Sequence, residues 1–146
     1  MKKPSYFNSE GYPSPTEYYA ELHIMQEEQA KRKALAKFRP LVYICSPFAG
    51  EVKKNIRKAR LYSRLAVKRG YLPITPHLLF PQFLNDKDEF ERNLGMKMGL
   101  VLMLKCREVW VFGSPSAGMN TETKRALLKG MPVRYFNEKG LEVNHG

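Results

Sequence analysis

The sequence predicts a doubly wound α/β fold, and three observations lead to this prediction. Short apolar runs rich in β-branched and aromatic residues alternate with longer segments of helical periodicity. Their order is strand, helix, strand, helix, strand, helix, strand, which builds a mostly parallel sheet with right-handed crossovers. The length of 146 residues suits one domain with its own core. We therefore expect a Rossmann-like (flavodoxin-like) sheet of four to five strands.

An N-terminal segment, residues 1–39, is expected to stand apart from this sheet as a helical arm. Its first fifteen residues are polar, aromatic and rich in turn formers, which predicts an extended chain. Thr16 is the predicted N-cap of a helix from Glu17 to Lys37, with acids in its first turns and bases in its last. The thin apolar stripe of this helix predicts packing against the domain or a second subunit. The domain itself is predicted for residues 40–137, followed by a polar tail at 138–146.

The first half of the domain begins with a strand at Leu41–Cys45 and continues with a helix at Glu51–Arg69. Apolar residues lie on one face of this helix and basic residues mostly on the other. The second strand, Tyr71–Thr75, contains Pro73, which predicts a sheet edge or a bulge. The apolar segment Pro76–Leu84 is expected to cover the carboxyl end of the sheet as a wall or lid.

A third helix is predicted to begin at Asn85 or Asp86 and to end at Lys105 or Cys106. Gly95 and Gly99 lie on adjacent turns of this helix. Because each interior glycine weakens a helix by roughly 1 kcal/mol, the pair indicates close backbone packing, for example against a second copy of the chain.

Charge and composition narrow the function classes. The formal net charge of +11 favours anionic partners: nucleotides, phosphates or nucleic acid. The basic face of the Glu51–Arg69 helix is open to two interpretations, a phosphate-binding surface or, more commonly, a solvated one.

The two cysteines, Cys45 and Cys106, have neither disulfide-framework nor metal-ligand spacing and indicate buried thiols in a reducing cytosol. No apolar run reaches the roughly 20 residues of a membrane span, so we expect a cytoplasmic protein without metal or cofactor.

The stretch from Glu108 to Arg125 carries the strongest chemical signal. The buried strand Val109–Phe112 is followed by a loop of small residues and then by a helix. Backbone amides at the start of such a helix are unpaired and point toward a ligand, which predicts an anion or sugar site. Glu122 lies about one turn into the helix and faces the same opening. The alternative is that Glu122 only complements the helix dipole.

Ligands of doubly wound sheets bind beyond the carboxyl ends of the strands. That rule places residues 46–50, 75–77 and 113–122 around one cleft. Within it, His77 is open to three interpretations: a general acid, a contact to a base, or a hydrogen-bonded structural histidine. The candidate ligand-contacting residues are Ser46, Pro47, Phe48, Gly50, His77, Asn93, Gly113, Ser114, Ser116, Gly118 and Met119.

Two motifs carry a resemblance to a known superfamily. Val-Tyr-Ile-Cys-Ser-Pro-Phe, residues 42–48, resembles the opening strand of the nucleoside 2-deoxyribosyltransferase-like superfamily. Pro115-Ser116-x-Gly118-x-x-x-Glu122 is similar to the motif of its 2'-deoxynucleoside 5'-monophosphate N-glycosidases. From Pro40 to Phe136 the chain looks most like small uncharacterised bacterial and phage domains of this superfamily.

The resemblance implies a role for each matching residue. Glu122 falls on the nucleophilic glutamate, which attacks the anomeric carbon of a deoxyribosyl unit and forms a glycosyl-enzyme. Tyr43 matches the tyrosine that orients this carboxylate. Ser116 stands where the N-glycosidases use a serine toward the 5'-phosphate and the transferases an aspartate toward the sugar, so the resemblance favours a nucleotide over a free nucleoside. It also implies an oligomer, because members often complete their sites across a subunit contact.

One departure concerns the acid that serves the leaving base. Relatives carry an aspartate on the helix before the nucleophile strand, whereas Glu91-Arg92-Asn93-Leu94 has Asn93, and an ungapped count places Gly99 there. The leaving base then depends on His77 or on one of three carboxylates: Asp86, Asp88 and Glu91.

We therefore carry two main hypotheses for function. The first is an N-glycosidase or deoxyribosyltransferase that acts on a nucleotide or nucleoside through Glu122. The second is a non-catalytic nucleotide-binding or sensing domain that keeps the cleft. A third hypothesis, ranked behind these two, is that the basic face of the Glu51–Arg69 helix binds nucleic acid.

Overall fold

The computed structural model describes residues 3–144 and divides into two compact units, one ending at Arg39 and one beginning at Pro40. In the N-terminal unit, helix α1 spans Pro15–Ala36 and has no buried residues. The helix starts earlier than predicted: Ser14 is the N-cap instead of Thr16, because Pro15 suits the first helical position. The preceding residues are not simply extended, since a β-bridge joins Phe7 to Pro13.

The second unit is a five-stranded sheet with the order β2-β1-β3-β4-β5. Its strands are β1 Leu41–Cys45, β2 Leu72–Ile74, β3 Glu108–Phe112, β4 Val133–Phe136 and β5 Glu142–Val143. Strands β1 to β4 pair in parallel, and β5 pairs with β4 antiparallel. The predicted fold class is confirmed. The strand order switches direction beside β1 and β3, so their carboxyl ends border the crevice in which this class binds ligands.

Three helices cover the two faces of the sheet: α2 Val52–Lys68, α3 Glu89–Leu104 and α4 Ala117–Leu128. Successive side chains of a strand point to opposite faces, so β1 divides its residues between two cores. Val42 and Ile44 pack with Tyr62 of α2, whereas Tyr43 and Cys45 pack with residues of α3 and α4. Because both faces are covered, the central strands β1 and β3 have continuous apolar runs, residues 41–45 and 109–112.

The ends of the sheet differ in part from expectation. Pro73 lies in β2, which is an edge strand as predicted. The residues interpreted as a polar tail instead contain β5, which follows a turn at Gly140 with φ +82°. Arg134 of β4 forms ion pairs with Glu108 and Glu142 and so links three neighbouring strands. β5 has only two residues, both exposed, and so forms no apolar run, which is why sequence reasoning missed it.

The segment between β2 and α3 contains two short 3-10 helices, Pro76–Leu78 and Phe80–Gln82. Helix α3 begins later than predicted, after Asp88, whose side chain accepts a hydrogen bond from the Glu91 backbone amide at 3.2 Å. Within residues 3–144, no helix combines the length and the apolar character needed to cross a membrane.

Candidate functional site

A hydrogen bond between Tyr43 and Glu122 forms the centre of the site. The Tyr43 hydroxyl donates to Glu122 Oε1 at 3.0 Å, joining β1 to α4 across 79 positions of sequence. Tyr43 is 1% exposed. Its side chain points away from α2 because the alternation along β1 sends every second residue to the α3 and α4 face.

Burial decides the protonation of both partners. It raises the pKa of Tyr43 far above its ordinary value, and the Glu122 charge raises it further. The hydroxyl therefore remains a hydrogen-bond donor at every working pH. Burial also raises the pKa of Glu122, while hydrogen bonds from the Cys45 thiol and the Tyr43 hydroxyl act in the opposite direction by stabilising the carboxylate. One carboxylate oxygen is thus held by Tyr43, and the carboxyl group lines an open cleft.

This cleft has a volume of about 80 Å³. Tyr43, Glu122, His77 and Phe48 line it together with residues of α3 and of the segment before it. Pockets for whole drug-sized ligands are several times larger, at roughly 300 to 1,000 Å³. The cleft therefore has room for the reacting end of a ligand, with the remainder lying over the rim.

His77 is placed by contacts to the loop after β1. Its ring stacks on Phe48, with centroids 5.0 Å apart and an interplanar angle of 17°. Burial lowers the pKa of His77, whereas a hydrogen bond to the Ser46 backbone carbonyl and the nearby Asp86 charge raise it in part. The ring is thus oriented by one hydrogen bond and lines the cleft beside Asp86.

The absence of a side chain at Gly99 allows helix α3 to lie close to the Tyr43 hydroxyl. A Cβ atom added at Gly99 would lie 3.2 Å from the Tyr43 hydroxyl, with Pro76 as its next neighbour. A Cβ atom at Gly95 would lie 3.4 Å from Leu84. The predicted close packing of these glycines is therefore met inside the chain, where they line the cleft.

The other candidate residues lie outside the lining of the cleft. Ser46 is buried, and its hydroxyl has no hydrogen-bond partner within residues 3–144. The Ser116 hydroxyl caps α4 by accepting from the Met119 amide at 3.3 Å, and the Met119 side chain is buried in the core. The remaining candidates absent from the lining are Pro47, Gly50, Asn93, Gly113, Ser114 and Gly118.

The lining includes residues that sequence reasoning did not assign to ligand binding. Arg92 is the cation among them, and the aromatic and aliphatic members are Pro76, Phe80, Pro81, Leu84 and Met96. The apolar character of residues 76–84 did predict a wall at this place. Arg92 had a weaker signal, its position in the Glu91-Arg92-Asn93-Leu94 motif. Among the residues that the structure describes, no three potential metal-ligating side chains cluster together.

Comparison with known proteins assigns the domain. Residues 40–136 match the family model described as a domain of unknown function, DUF7768. The chain belongs to this family. The match begins where the structure divides the two units, so the DUF7768 domain comprises strands β1 to β4, the three helices and the cleft, and β5 follows it.

The DUF7768 domain is similar to a solved structure of a 2-deoxyribosyltransferase from Bacillus psychrosaccharolyticus. The two are 21% identical with a TM-score of 0.52, and the alignment covers 71% of this chain and 77% of that one. This likeness shows that the DUF7768 domain has the fold of a deoxyribosyltransferase. No curated protein matches the chain in sequence.

Proposed function

We propose that this protein cleaves or transfers the N-glycosidic bond of a deoxynucleotide, with Glu122 as nucleophile. The observation that carries the proposal is the 3.0 Å hydrogen bond from the buried Tyr43 hydroxyl to Glu122 at the mouth of the cleft. It holds Oε1 of Glu122 and so orients the carboxylate for attack. The similarity of the fold to a 2-deoxyribosyltransferase supports this reaction class.

In the proposed reaction, a carboxylate oxygen of Glu122 bonds to the anomeric carbon as the bond from that carbon to the base nitrogen breaks. The bonding electrons leave with the base, which takes up a proton. Water, or a second base, then attacks the same carbon and releases Glu122 as a carboxylate. Two inversions at this carbon retain its configuration, as in retaining glycosidases.

The group that serves the leaving base is proposed to be His77 with its neighbour Asp86. Of the four alternatives, Asp88 is occupied as the N-cap of α3, and Glu91 accepts a hydrogen bond from the Asn85 amide at 3.1 Å. His77 and Asp86 both line the cleft. Because burial lowers the pKa of His77 more than the Asp86 charge raises it, the imidazole is expected to be protonated, and so able to supply the departing base with a proton, mainly at acidic pH.

The 5'-phosphate has two proposed partners. Arg92 lines the cleft and supplies a cation. Ser116 is the N-cap of α4 and precedes Glu122 by six residues, which is about 9 Å along the helix. The N-termini of helices bind phosphate. A phosphate bound at Arg92 or at the N-terminus of α4 is compatible with a sugar placed at the Glu122 carboxylate. The binding of phosphate by Ser116 therefore stays a prediction.

The experiment that tests the proposal is base release from deoxynucleosides and their 5'-monophosphates, followed by chromatography. We expect release by the wild type, faster with the phosphate, and none by Glu122→Ala. Intact-protein mass spectrometry should detect the wild type carrying one deoxyribosyl unit. Failure to release any base, with nucleotide binding intact, would refute the proposal.

A second function is favoured by Gly99. The Tyr43 hydroxyl occupies the space beside Gly99, the position at which an ungapped count against the related enzymes places their acid. A domain that binds a nucleotide without cleaving it is consistent with this arrangement. Equal nucleotide affinity of the wild type and Glu122→Ala, with no base released by either, would establish this second function.

Tyr43→Phe is expected to slow base release by about tenfold to a hundredfold. A hydrogen bond to a charged group contributes about 1.5–3 kcal/mol, and this one orients the nucleophile. Because the variant removes a donor that stabilises the carboxylate, the acidic limb of the pH profile should also move to higher pH. An unchanged profile would show that the hydroxyl does not act on Glu122.

A further inference from the structure

Five basic side chains form a stripe along the outer face of α2. They are Lys53, Arg57, Arg60, Arg64 and Lys68, all exposed. At 100° per residue they lie within an arc of about 80°, opposite the buried residues of the helix, and they span about 22 Å. We call these five residues the basic stripe.

The residues of the basic stripe differ from two other cations of α2 because those two form ion pairs with carboxylates. Lys54 pairs with Glu51 and Lys58 with Glu138, each at 3.3 Å. None of the ion pairs formed within residues 3–144 includes a member of the stripe. The domain from residue 40 onward has 18 Lys and Arg against 9 Asp and Glu, a net charge of +9 out of +11 for the whole chain.

This arrangement weakens α2. Like charges three or four residues apart repel by about 0.2–0.5 kcal/mol per pair, and the stripe contains four such neighbouring pairs. Lys53 also lies in the first turn, where the helix dipole favours acids. An ordinary solvated face carries both signs of charge, so the stripe points to an anionic partner.

The stripe lies beside the candidate site. Arg60 lines a groove of about 400 Å³ together with Ile56, His77 and Pro81. His77 and Pro81 also line the cleft that contains Glu122. A chain of phosphates on the stripe therefore passes the rim of the cleft.

We propose that the basic stripe binds the phosphate backbone of single-stranded nucleic acid, so that a nucleotide of the strand reaches the cleft. One mononucleotide has phosphate at one end only and contacts one or two cations. In a stacked strand, phosphates recur about every 3.4 Å along the axis, so the 22 Å stripe matches several of them. Single-strand-binding proteins track the backbone with such a charged surface.

Single strands are favoured over duplexes because an enzyme acts on a base only when the base is outside the stack. A membrane surface is disfavoured because an interfacial helix needs an accessible apolar face, whereas the apolar face of α2 is buried on the sheet through Ala59, Tyr62 and Ala66. Delivery of a nucleotide to Glu122, and with it the preference for single strands, rests on the proposed function; binding of a phosphate backbone to the stripe does not.

The test is fluorescence anisotropy with labelled 12-nucleotide single strands of DNA and RNA, a matched duplex, and polyglutamate of equal charge. With about four phosphate contacts, the slope of log K against log salt should be near −3, since each contact contributes about −0.7 on single strands. Binding should weaken about fiftyfold between 50 and 200 mM salt.

The triple variant Arg57→Gln/Arg60→Gln/Arg64→Gln is expected to bind about a hundredfold more weakly at 100 mM salt, with a slope about two units shallower. The matched control, Lys124→Gln/Arg125→Gln/Lys129→Gln, removes the same charge from exposed positions on and just after α4 and should bind within about threefold of the wild type. Circular dichroism checks that both variants are folded.

Three outcomes would overturn the inference: equal losses in the two triple variants, equal binding of polyglutamate and the oligonucleotides, or no dependence on salt. Glu122→Ala separates the inference from the proposed function, because it should bind the strand as the wild type does. Strand binding without base release from any substrate refutes the proposed function alone. Base release from mononucleotides without strand binding refutes the stripe alone.

Discussion

Glu122→Gln is expected to reduce base release at least about a thousandfold and, at the same time, to raise the thermal midpoint at pH 7. The amide retains the size of the carboxyl group and still accepts the Tyr43 hydrogen bond, but it has no anionic oxygen to form the glycosyl-enzyme. Removal of a covalent nucleophile leaves only binding and electrostatic contributions to the rate.

The gain in stability follows from the pKa. Burial raises the pKa of Glu122 in the folded protein, so the folded chain holds this proton more tightly than the unfolded chain does. The free energy of unfolding therefore falls as the pH rises from the ordinary carboxyl value through the raised one. Glu122→Gln lacks this titration, so its advantage should be present at pH 7 and vanish below pH 4.

Glu89→Gln is the matched control, because Glu89 is exposed and does not line the cleft. It should leave base release near the wild-type rate without the stability gain that Glu122→Gln shows at pH 7. Calorimetry and chromatography across pH 3–9 measure both effects. Retention of activity in Glu122→Gln would show that Glu122 is not the nucleophile.

Gly99→Asp, which introduces an acid where the related enzymes are expected to have one, should destabilise the protein by about 3 kcal/mol and abolish activity. A Cβ atom at this position is already only 3.2 Å from the Tyr43 hydroxyl. Accommodating the Cβ atom requires a small shift of Tyr43, the carboxyl beyond it crowds the hydrogen bond from Tyr43 to Glu122, and an uncompensated buried charge costs about 3–5 kcal/mol.

Gly95→Asp, one turn away on the same helix, separates this effect from loss of helix flexibility. Gly95 is only half-buried, and its nearest neighbour is the flexible end of the Leu84 side chain. We expect its urea midpoint to fall much less than that of Gly99→Asp. A Gly99→Asp variant that is stable and faster than the wild type would instead show that the cleft accepts the acid.

Periodicity and strand composition were sufficient for the fold because the two central parallel strands, β1 and β3, are buried on both faces. The apolar runs at residues 41–45 and 109–112 therefore identify β1 and β3 without knowledge of their partners. β5 gave no such signal, since both its residues are exposed and its place depends on Arg134 and Glu142 meeting across the hairpin. Pairing of this kind is not visible in local sequence.

In the candidate site, too, some features were predicted from the sequence and others depend on tertiary packing. The pairing of Tyr43 with Glu122 was implied by the resemblance of two motifs to the superfamily, and the structure brings the two side chains into contact. The sequence did not predict that Arg92 and Gly99 line the cleft, because their position depends on how α3 packs over β1. The role of Gly99 follows from one interatomic distance, which no pattern of residue types encodes.

The two edges of the sheet have a consequence for how copies of the domain can meet. At one edge, Pro73 in β2 has no amide hydrogen to offer a further strand. At the other, β5 covers β4 but is only two residues long, so it presents a very short ladder. Both features disfavour the pairing of a further strand with the edge of the sheet. Self-association by extending the sheet is thereby discouraged, and copies that assemble must use helix faces or the N-terminal unit.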